Sequence, residues 1–169
     1  MGKADNTITL VINTKNEEHN IEECIKSAKD IVDEIVVVDM ASSDKTVEIA
    51  KKMGAKVFPV EDYGYVEPAR NFALGKPTMK WTLLLDADER LTKKLRETIL
   101  KLVKENKFDG FKFPFRNSFF GTWIRHSMWW PDYHIRLFKT GYLDWPTGVH
   151  KDQDFKGRLF ELEAVEENA

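Results

Sequence analysis

The first hundred residues alternate between short apolar runs and longer segments that are apolar on one side only. The apolar runs at 8–12, 34–40 and 81–86 have the length of strands buried on both faces. In the segments that follow the first two runs, apolar positions recur at helical spacing, with Asn16 and either Ser42 or Ser43 as candidate N-caps. Alternating strands and helices predict a mostly parallel sheet with helices on both faces.

Three further elements extend this α/β pattern. The run "AKVFPV" predicts a weaker third strand, Pro68 can open a short helix that ends before Gly75, and 92–105 has the periodicity of a longer helix. From Phe108 the pattern changes. In "FDGFKFPFRN" phenylalanines alternate with charged residues or proline, which predicts an edge or antiparallel strand, and "YHIRLFK" predicts another.

Composition and charge narrow the class of protein. The chain has 42% hydrophobic and 32% charged residues, typical of a soluble globular domain. Its 26 basic and 28 acidic residues give a net charge of −2, which argues against a nucleic-acid partner. The single cysteine, Cys24, falls on the apolar side of a predicted helix, which fits a reducing cytoplasm. We expect no leader and no membrane span, because no apolar run approaches roughly 20 residues.

Polar residues follow the predicted strands where each strand ends. In open parallel sheets, ligands bind outside the carboxyl ends of the strands, so these residues are the candidates for a binding site. The first strand is followed by Thr14, Asn16 and Glu17, the second by Asp39 and Ser42, and the fourth by Asp86, Ala87 and Asp88.

The acidic end of "WTLLLDADER" suggests a cation site. Alternate residues of an extended segment point the same way, so Asp86 and Asp88 are expected to project together while Ala87 packs behind them. Two carboxylates suit Mg²⁺ or Mn²⁺, with water and phosphate oxygens as the other ligands. The alternative is an acidic turn that simply follows a buried strand.

Two other residues have both a functional and a structural interpretation. Asp39 either accepts hydrogen bonds from a nucleobase or ribose, or caps the next helix. Arg70 either forms a forked contact with a pyrophosphate, or takes part in a surface ion pair.

Four segments together resemble the nucleotide-sugar half of a family 2 glycosyltransferase with the GT-A fold. They are "LVINTKNEEHNIEECIKSA", "EIVVVDMASSDKTVEIAKKMGAKV", "ARNFAL" and "WTLLLDADER", and their order and spacing match over roughly residues 7–150. The segments "WWPDYHIRLFK" and "WPTGVHK" further resemble lipopolysaccharide core glucosyltransferases of the WaaE type.

The resemblance implies one domain over residues 1–169, with a Rossmann-like, mostly parallel sheet and an aromatic-rich β elaboration in the C-terminal third. Residues 1–106 would form the nucleotide-sugar-binding half, 107–155 the acceptor side, and 156–169 a tail. Related proteins continue past this tail, so acceptor-binding elements are expected to be missing. Lys151 departs from the acidic residue that relatives carry after the histidine.

The resemblance also assigns roles. Thr14, Asn16, Glu17 and Asp39 would line the nucleoside pocket, and Ser42 and Ala87 would adjoin it. Arg70 would lie near the diphosphate, Asp86 would reach the ribose, and Asp88 would hold Mn²⁺ or Mg²⁺, with His150 as a second ligand or a structural histidine. The family inverts the anomeric centre, so a carboxylate takes the acceptor's proton. Asp132 is the candidate, unless "PD" is only a surface turn.

The implied substrates are a nucleoside-diphosphate sugar, UDP-linked by family preference, and a glycan or lipid-linked acceptor. Trp129 and Trp130 are the best-placed acceptor contacts in an aromatic stretch that also suits a core. A lipid-linked acceptor predicts a cytoplasmic protein with peripheral contact at the inner face of the membrane. The sequence does not specify the oligomeric state.

Three alternatives have different sequence requirements. A sugar-nucleotide nucleotidyltransferase usually opens with a glycine-rich phosphate loop, and "VINTKNEEHN" contains no glycine. A receiver domain needs an acidic pair after the first strand, which "NTKN" does not provide. A noncatalytic nucleotide-sugar-binding module stays compatible with the sequence.

Overall fold

The computed structural model describes residues 3–64, 66–116, 118–119, 122–123, 130–145 and 153–164. Its strands are β1 (Ile8–Thr14), β2 (Glu34–Met40), β3 (Lys56–Val60), β4 (Trp81–Asp86), β5 (Gly110–Phe115), β6 (Ser118–Phe119), β7 (Thr122–Trp123), β8 (Asp132–Lys139), β9 (Leu143–Asp144), β10 (Asp154–Phe155) and β11 (Leu159–Glu161). Its α-helices are α1 (Ile21–Ala28), α2 (Thr46–Lys52), α3 (Glu67–Leu74) and α4 (Lys93–Glu105), with short 3-10 helices at Lys3–Asn6 and Lys29–Ile31.

Seven strands form a central sheet in the order β11–β5–β8–β4–β1–β2–β3. Strand β1 pairs in parallel with both β2 and β4, and β2 pairs in parallel with β3. Strand β8 runs antiparallel to its neighbours β4 and β5. The predicted fold class, a mostly parallel α/β sheet, is therefore confirmed. The carboxyl ends of β1, β2 and β4 and the start of β8 all lie at one edge of the sheet.

Helices cover both faces of this sheet. Helices α1, α2 and α4 pack on one face, where Cys24 is fully buried as predicted, and α3 packs on the other through Ala69 and Ala73. Every residue of β1 and β2 is buried, because helices lie above and below them. Among the described residues, no helix is long and apolar enough to cross a membrane.

The predicted N-caps of α1 and α2 are wrong, whereas the predicted start of α4 lies within one residue of the observed start. Helix α1 begins only at Ile21, because a tight turn intervenes in which the Glu17 carbonyl accepts hydrogen bonds from the amides of Asn20 and Ile21. Helix α2 begins at Thr46, after both candidate serines. In α4 the Thr92 Oγ1 accepts a hydrogen bond from the Leu95 amide at 3.1 Å.

The C-terminal third completes the sheet. Strand β5 is antiparallel to β8 as predicted, but it is not an edge strand, because β11 pairs with it in parallel. The assignment of residues 156–169 to a tail is therefore wrong for Leu159–Glu161. Phe160 contacts the rings of Phe108 and Phe111, and Leu162 is buried. A three-residue strand is too short for its apolar period to be recognised.

Strand β8 contains one residue more than its pairing with β5 requires. Phe111 pairs with Leu137 and Lys112 pairs with Ile135, so Arg136 has no partner of its own. Such a β-bulge changes the direction of a side chain and is common beside active sites. Its effect is to bring a buried guanidinium to the carboxyl end of β4.

Candidate functional site

The carboxyl ends of β1 and β2 hold buried polar atoms without hydrogen-bond partners. Thr14 and Asp39 pair in register and are 2% and 3% exposed. Thr14 Oγ1, Asp39 Oδ1 and both side-chain amide atoms of Asn13 form no hydrogen bond with the residues that the structure describes. Buried polar groups are nearly always satisfied, so several unsatisfied atoms together make this edge of the sheet a candidate site for a polar ligand.

The loops after β1 and β2 are joined by hydrogen bonds. The Asn16 amide donates to Ser42 Oγ at 2.8 Å, and the Ser43 amide donates to Asn16 Oδ1 at 2.8 Å. The Glu17 amide donates to Thr46 Oγ1 at 2.8 Å. In these contacts the Ser42 Oγ and Asn16 Oδ1 atoms act as acceptors, and their effect is to hold the two loops together.

The Asp39 carboxylate has one occupied and one free oxygen. Its Oδ2 accepts a hydrogen bond from the Ser42 amide at 3.0 Å, whereas its Oδ1 is buried and unpaired. Ala41, which directly precedes Ser42, has φ +54°, a left-handed conformation that is rare for alanine. Asp39 thus stabilises the loop after β2 and does not cap α2, which begins at Thr46. Its contact with a base or ribose stays a prediction.

The carboxyl end of β4 carries a network of two arginines and two carboxylates. Arg70 Nη2 lies 3.1 Å from Asp86 Oδ1, and Arg136 Nη2 lies 2.9 Å from Asp86 Oδ2. Arg136 also pairs with Glu89 Oε1, and the Asp86 amide donates to Glu89 Oε2 at 2.9 Å. Arg136 is 4% exposed. The guanidiniums thus neutralise carboxylates that would otherwise repel each other.

The two carboxyl groups of this network differ in their pKa values. Burial opposes ionisation of Asp86, but the charges of Arg136 and Arg70 outweigh it and lower the pKa. Burial raises the pKa of Glu89 to about 7, and the Asp86 charge adds to this while Arg136 opposes it. Asp86 is therefore the more fully ionised of the two carboxyl groups at neutral pH.

Asp86 and Asp88 line the same cavity, although the extended geometry from which their placement was predicted ends at Asp86. The chain turns after β4, with the Glu89 amide donating to the Asp86 carbonyl at 3.0 Å, so the extended geometry ends at Asp86. Asp88 is exposed and has no hydrogen bond or ion pair with any residue that the structure describes. Ala87 packs in the core as expected, and its carbonyl accepts a hydrogen bond from Arg90.

A protein-only metal cage is absent from the described part of the chain, where no three His, Cys, Asp or Glu side chains are grouped to hold an ion. One free carboxylate at a strand end nevertheless fits Mg²⁺ or Mn²⁺ bound largely by phosphate oxygens and water. The residues present thus suit an ion that arrives with a phosphorylated ligand.

A cavity of about 550 Å³ lies beside this network. The residues that line it include Asp86, Asp88 and Glu89 after β4 and Phe113 and Phe115 from β5. Carboxylates beside aromatic rings are suited to a polyhydroxylated ligand, because the acids accept from hydroxyls while the rings pack against C–H faces.

Asp132 begins β8 at the same edge of the sheet. Its Oδ2 lies 3.1 Å from His134 Nε2, and its side chain is 38% exposed. His134 in turn packs edge-on against Phe115, a residue of the cavity wall. Trp130 is partly buried just before a cis bond to Pro131. The other two candidates, Trp129 and His150, lie outside the described residues.

Sequence reasoning missed Asn13 and Arg136 and gave Glu89 no role. Arg136 leaves a trace in the sequence, because an arginine inside the apolar run "HIRLF" must be paired if the strand is buried. Asn13 has a similar trace at the end of "TLVIN". Neither sequence pattern identifies the residues that these side chains contact, because those contacts depend on the bulge in β8 and on the strand order.

Comparison with known proteins gives the family context. The model of the family described as Glycosyl transferase family 2 matches residues 9–168. An uncharacterised glycosyltransferase of Rickettsia typhi is 46% identical over 104 residues, covering 62% of this chain and 35% of that protein. The glycosyltransferase SunS of Bacillus phage SPbeta is 35% identical over 111 residues, covering 60% and 25%. The chain thus spans about a third of the length of the Rickettsia glycosyltransferases that it matches.

Solved structures show the same fold at low sequence identity. S. aureus TarS 1-349 in complex with UDP-GlcNAc has a TM-score of 0.64 at 21% identity, covering 80% of this chain and 46% of that one. Glucosyl-3-phosphoglycerate synthase from Mycobacterium tuberculosis in complex with UDP has a TM-score of 0.55 at 24% identity, covering 66% and 45%. The same synthase was solved with Mn²⁺, UDP and glucosyl-3-phosphoglycerate, with a TM-score of 0.50 at 23% identity, covering 63% and 43%.

Proposed function

Because this chain belongs to glycosyl transferase family 2, we propose that it binds a UDP-sugar with Mn²⁺ or Mg²⁺ and transfers the sugar, with inversion, to an acceptor hydroxyl. The observation that carries this proposal is the group of unpaired buried atoms on Asn13, Thr14 and Asp39. They lie at the strand ends where open α/β sheets bind ligands. TarS with UDP-GlcNAc and the synthase with UDP share this fold and support the choice of donor.

Each strand end has a part in donor binding. Asp39 Oδ1 accepts a hydrogen bond from an N–H of the base, because an ionised carboxylate can only accept. Thr14 and Asn13 offer both donors and acceptors to the base or the ribose. The low pKa of Asp86 keeps it charged, so it accepts from ribose hydroxyls while the arginines hold it in place.

The diphosphate end lies toward Arg70 and Asp88. Arg70 offers planar donors that match phosphate oxygens, and its Nε is buried without a hydrogen bond in the described structure. Asp88, which has no partner there either, would hold the metal ion with His150 as a second candidate ligand. Bound to the phosphates, the ion would neutralise negative charge on the departing diphosphate.

The acceptor hydroxyl approaches from the side of β5 and β8. Its oxygen forms the new bond to the anomeric carbon, the diphosphate leaves with the electrons of the old bond, and Asp132 takes the hydroxyl proton. Asp132 suits this role because it begins β8 at the edge where β4 ends. The neighbouring cavity, which is lined by acidic and aromatic residues, suits a glycan acceptor. Trp129 and Trp130 are candidates for further acceptor contacts. A lipid-linked acceptor of the WaaE type and a place at the inner membrane face belong to this proposal.

Isothermal titration calorimetry with UDP, GDP and ADP, with and without MnCl₂, tests donor binding. We expect UDP to bind best and only with the metal, and Asp88→Asn to remove the metal-linked gain. Asp30→Asn is the matched control, because Asp30 is an exposed aspartate beyond α1, before the amino end of β2. Metal-independent binding, or none, contradicts the proposal.

Release of UDP from UDP-sugars separates transfer from binding alone. With UDP-glucose or UDP-GlcNAc and a panel of glycan and lipid-linked acceptors, we expect UDP release that depends on the acceptor and falls at least a hundredfold in Asp132→Asn. Tight UDP binding without release under any of these conditions favours the noncatalytic module.

A further inference from the structure

Trp145, the residue after β9, lies against the guanidinium of Arg70. The Arg70 Cζ is 4.4 Å from the centre of the Trp145 ring. On the same guanidinium, Nη2 lies 3.1 Å from Asp86 Oδ1. Arg70 is therefore restrained both by a cation–π contact and by an ion pair, and its side chain is only 16% exposed.

Asn71 fixes the backbone of Trp145 next to Arg70. The Asn71 Nδ2 donates to the Trp145 carbonyl at 2.5 Å, and Asn71 Oδ1 accepts from the Trp145 amide at 3.0 Å. One side chain thus satisfies both polar groups of a peptide residue 74 positions away. Since Asn71 follows Arg70 in α3, the helix that carries the arginine also sets the position of the tryptophan.

This arrangement does more than neutralise Asp86. Arg136 already pairs with Asp86 Oδ2 at 2.9 Å and is more deeply buried than Arg70. Arg70 Nε is buried and makes no hydrogen bond within the described structure, while the side chain as a whole keeps 16% of its surface exposed. An arginine whose orientation is fixed before binding loses less side-chain entropy when it meets an anion.

We propose that Trp145 and Asn71 are positioning residues, which hold the Arg70 guanidinium in the orientation that receives the donor diphosphate. The inference rests on the proposed function, which supplies the diphosphate. Trp145 contacts Arg70, and Asn71 contacts the backbone of Trp145. Neither residue needs to contact the donor. The competing explanation is that they only stabilise the junction between α3 and β9.

Comparing UDP with uridine separates these explanations, because uridine lacks the phosphates that Arg70 would contact. Affinities are measured with MnCl₂, by calorimetry for UDP and by saturation-transfer NMR for uridine. We expect Trp145→Leu to weaken UDP binding about tenfold and to leave uridine binding unchanged. Trp145→Phe, which keeps an aromatic face, should restore most of the UDP affinity, and Asn71→Ala should weaken UDP binding in the same direction.

Phe72→Leu is the matched control, because Phe72 is on α3 like Arg70 and Asn71. The centre of its ring lies 3.9 Å from Lys76 Nζ. This variant should leave both affinities unchanged. Equal loss of UDP and uridine affinity in Trp145→Leu, or unchanged UDP affinity, overturns the inference. If Trp145→Leu does not fold by circular dichroism, Asn71→Ala decides by the same comparison. A wild-type protein that does not prefer UDP to uridine overturns the proposed function and the inference with it.

Discussion

Thr14 and Asp39 are register partners at the carboxyl ends of β1 and β2, and each has one buried side-chain oxygen that forms no hydrogen bond within the described part of the chain. Two orphan oxygens side by side cost folding free energy unless something completes them. In a sheet whose strand ends form the binding edge, the simplest completion is a ligand that offers N–H and O–H donors to both.

Asp39→Asn should weaken UDP binding by about tenfold to a hundredfold. An asparagine can keep the bond from the Ser42 amide through its Oδ1, but it then presents an NH₂ donor where Asp39 presents an acceptor. The melting temperature should change little, because no established partner is lost. Calorimetry and thermal unfolding on the same preparation check both expectations. Unchanged UDP affinity would exclude Asp39 from the base contact.

Arg136→Met should lower the free energy of unfolding by about 3–5 kcal/mol, because it leaves Asp86 and Glu89 buried without their shared cation. The double variant Arg136→Met/Glu89→Gln removes one of the two facing charges as well. It should recover part of the loss, as measured by urea unfolding at neutral pH. If both variants are equally unstable, the defect lies in the packing of the guanidinium rather than in its charge.

Glu34 should make the protein sensitive to acid. Burial opposes its ionisation, but hydrogen bonds from Lys56, Thr9 and Thr78 outweigh this and lower the pKa of Glu34 from 4.5 to about 2. A lowered carboxyl pKa stabilises the fold above about pH 4.5 and loses this contribution as the pH falls toward 2. The amount at stake is about 3 kcal/mol.

Glu34→Gln should therefore reduce the slope of unfolding free energy against pH between about 4.5 and 2. Urea unfolding at a series of pH values measures that slope. The control is Glu97→Gln, an exposed glutamate on α4. A variant slope equal to that of the wild type would show that other carboxylates control acid unfolding.

Ala41 should respond to substitution according to its backbone. At φ +54° a Cβ is unfavourable, so Ala41→Gly should stabilise the protein by about 0.5–1 kcal/mol, whereas Ala41→Val should destabilise it by at least about 1 kcal/mol. Ala41 is exposed, so lost packing does not confuse the comparison. Chemical unfolding of both variants checks the opposite signs, and two changes of the same sign would contradict the backbone explanation.

The sequence predicts those parts of the fold whose information is local. The apolar run 81–86 identifies β4, and Thr92 identifies the start of α4, because burial and capping both depend on neighbours in the chain. For Asp86 and Asp88 the predicted reason for their proximity does not hold, because alternation requires an extended chain and a turn begins directly after Asp86. Both residues nevertheless line the same cavity.

Long-range partners are beyond local patterns. The contacts of Asp86 come from α3 and β8, whose arginines lie 16 and 50 residues away along the chain. In the sequence Trp145 cannot be distinguished from other apolar residues, and only the fold shows that it lies against Arg70. The resemblance to a family supplied Arg70 and Asp86 as candidates, while their mutual contact emerges only from three-dimensional packing.

Because of the bulge, β8 contains one residue that its pairing with β5 does not need. Ile135 and Phe138 pack in the same apolar cluster although three positions separate them, because Arg136 and Leu137 together stand opposite Phe111. A homologue that lacked the residue at position 136 could keep all the residue pairs between β5 and β8 and lose only the buried positive charge of Arg136. Insertion and deletion, and not substitution alone, are therefore routes by which this edge of the sheet can gain or lose its chemistry.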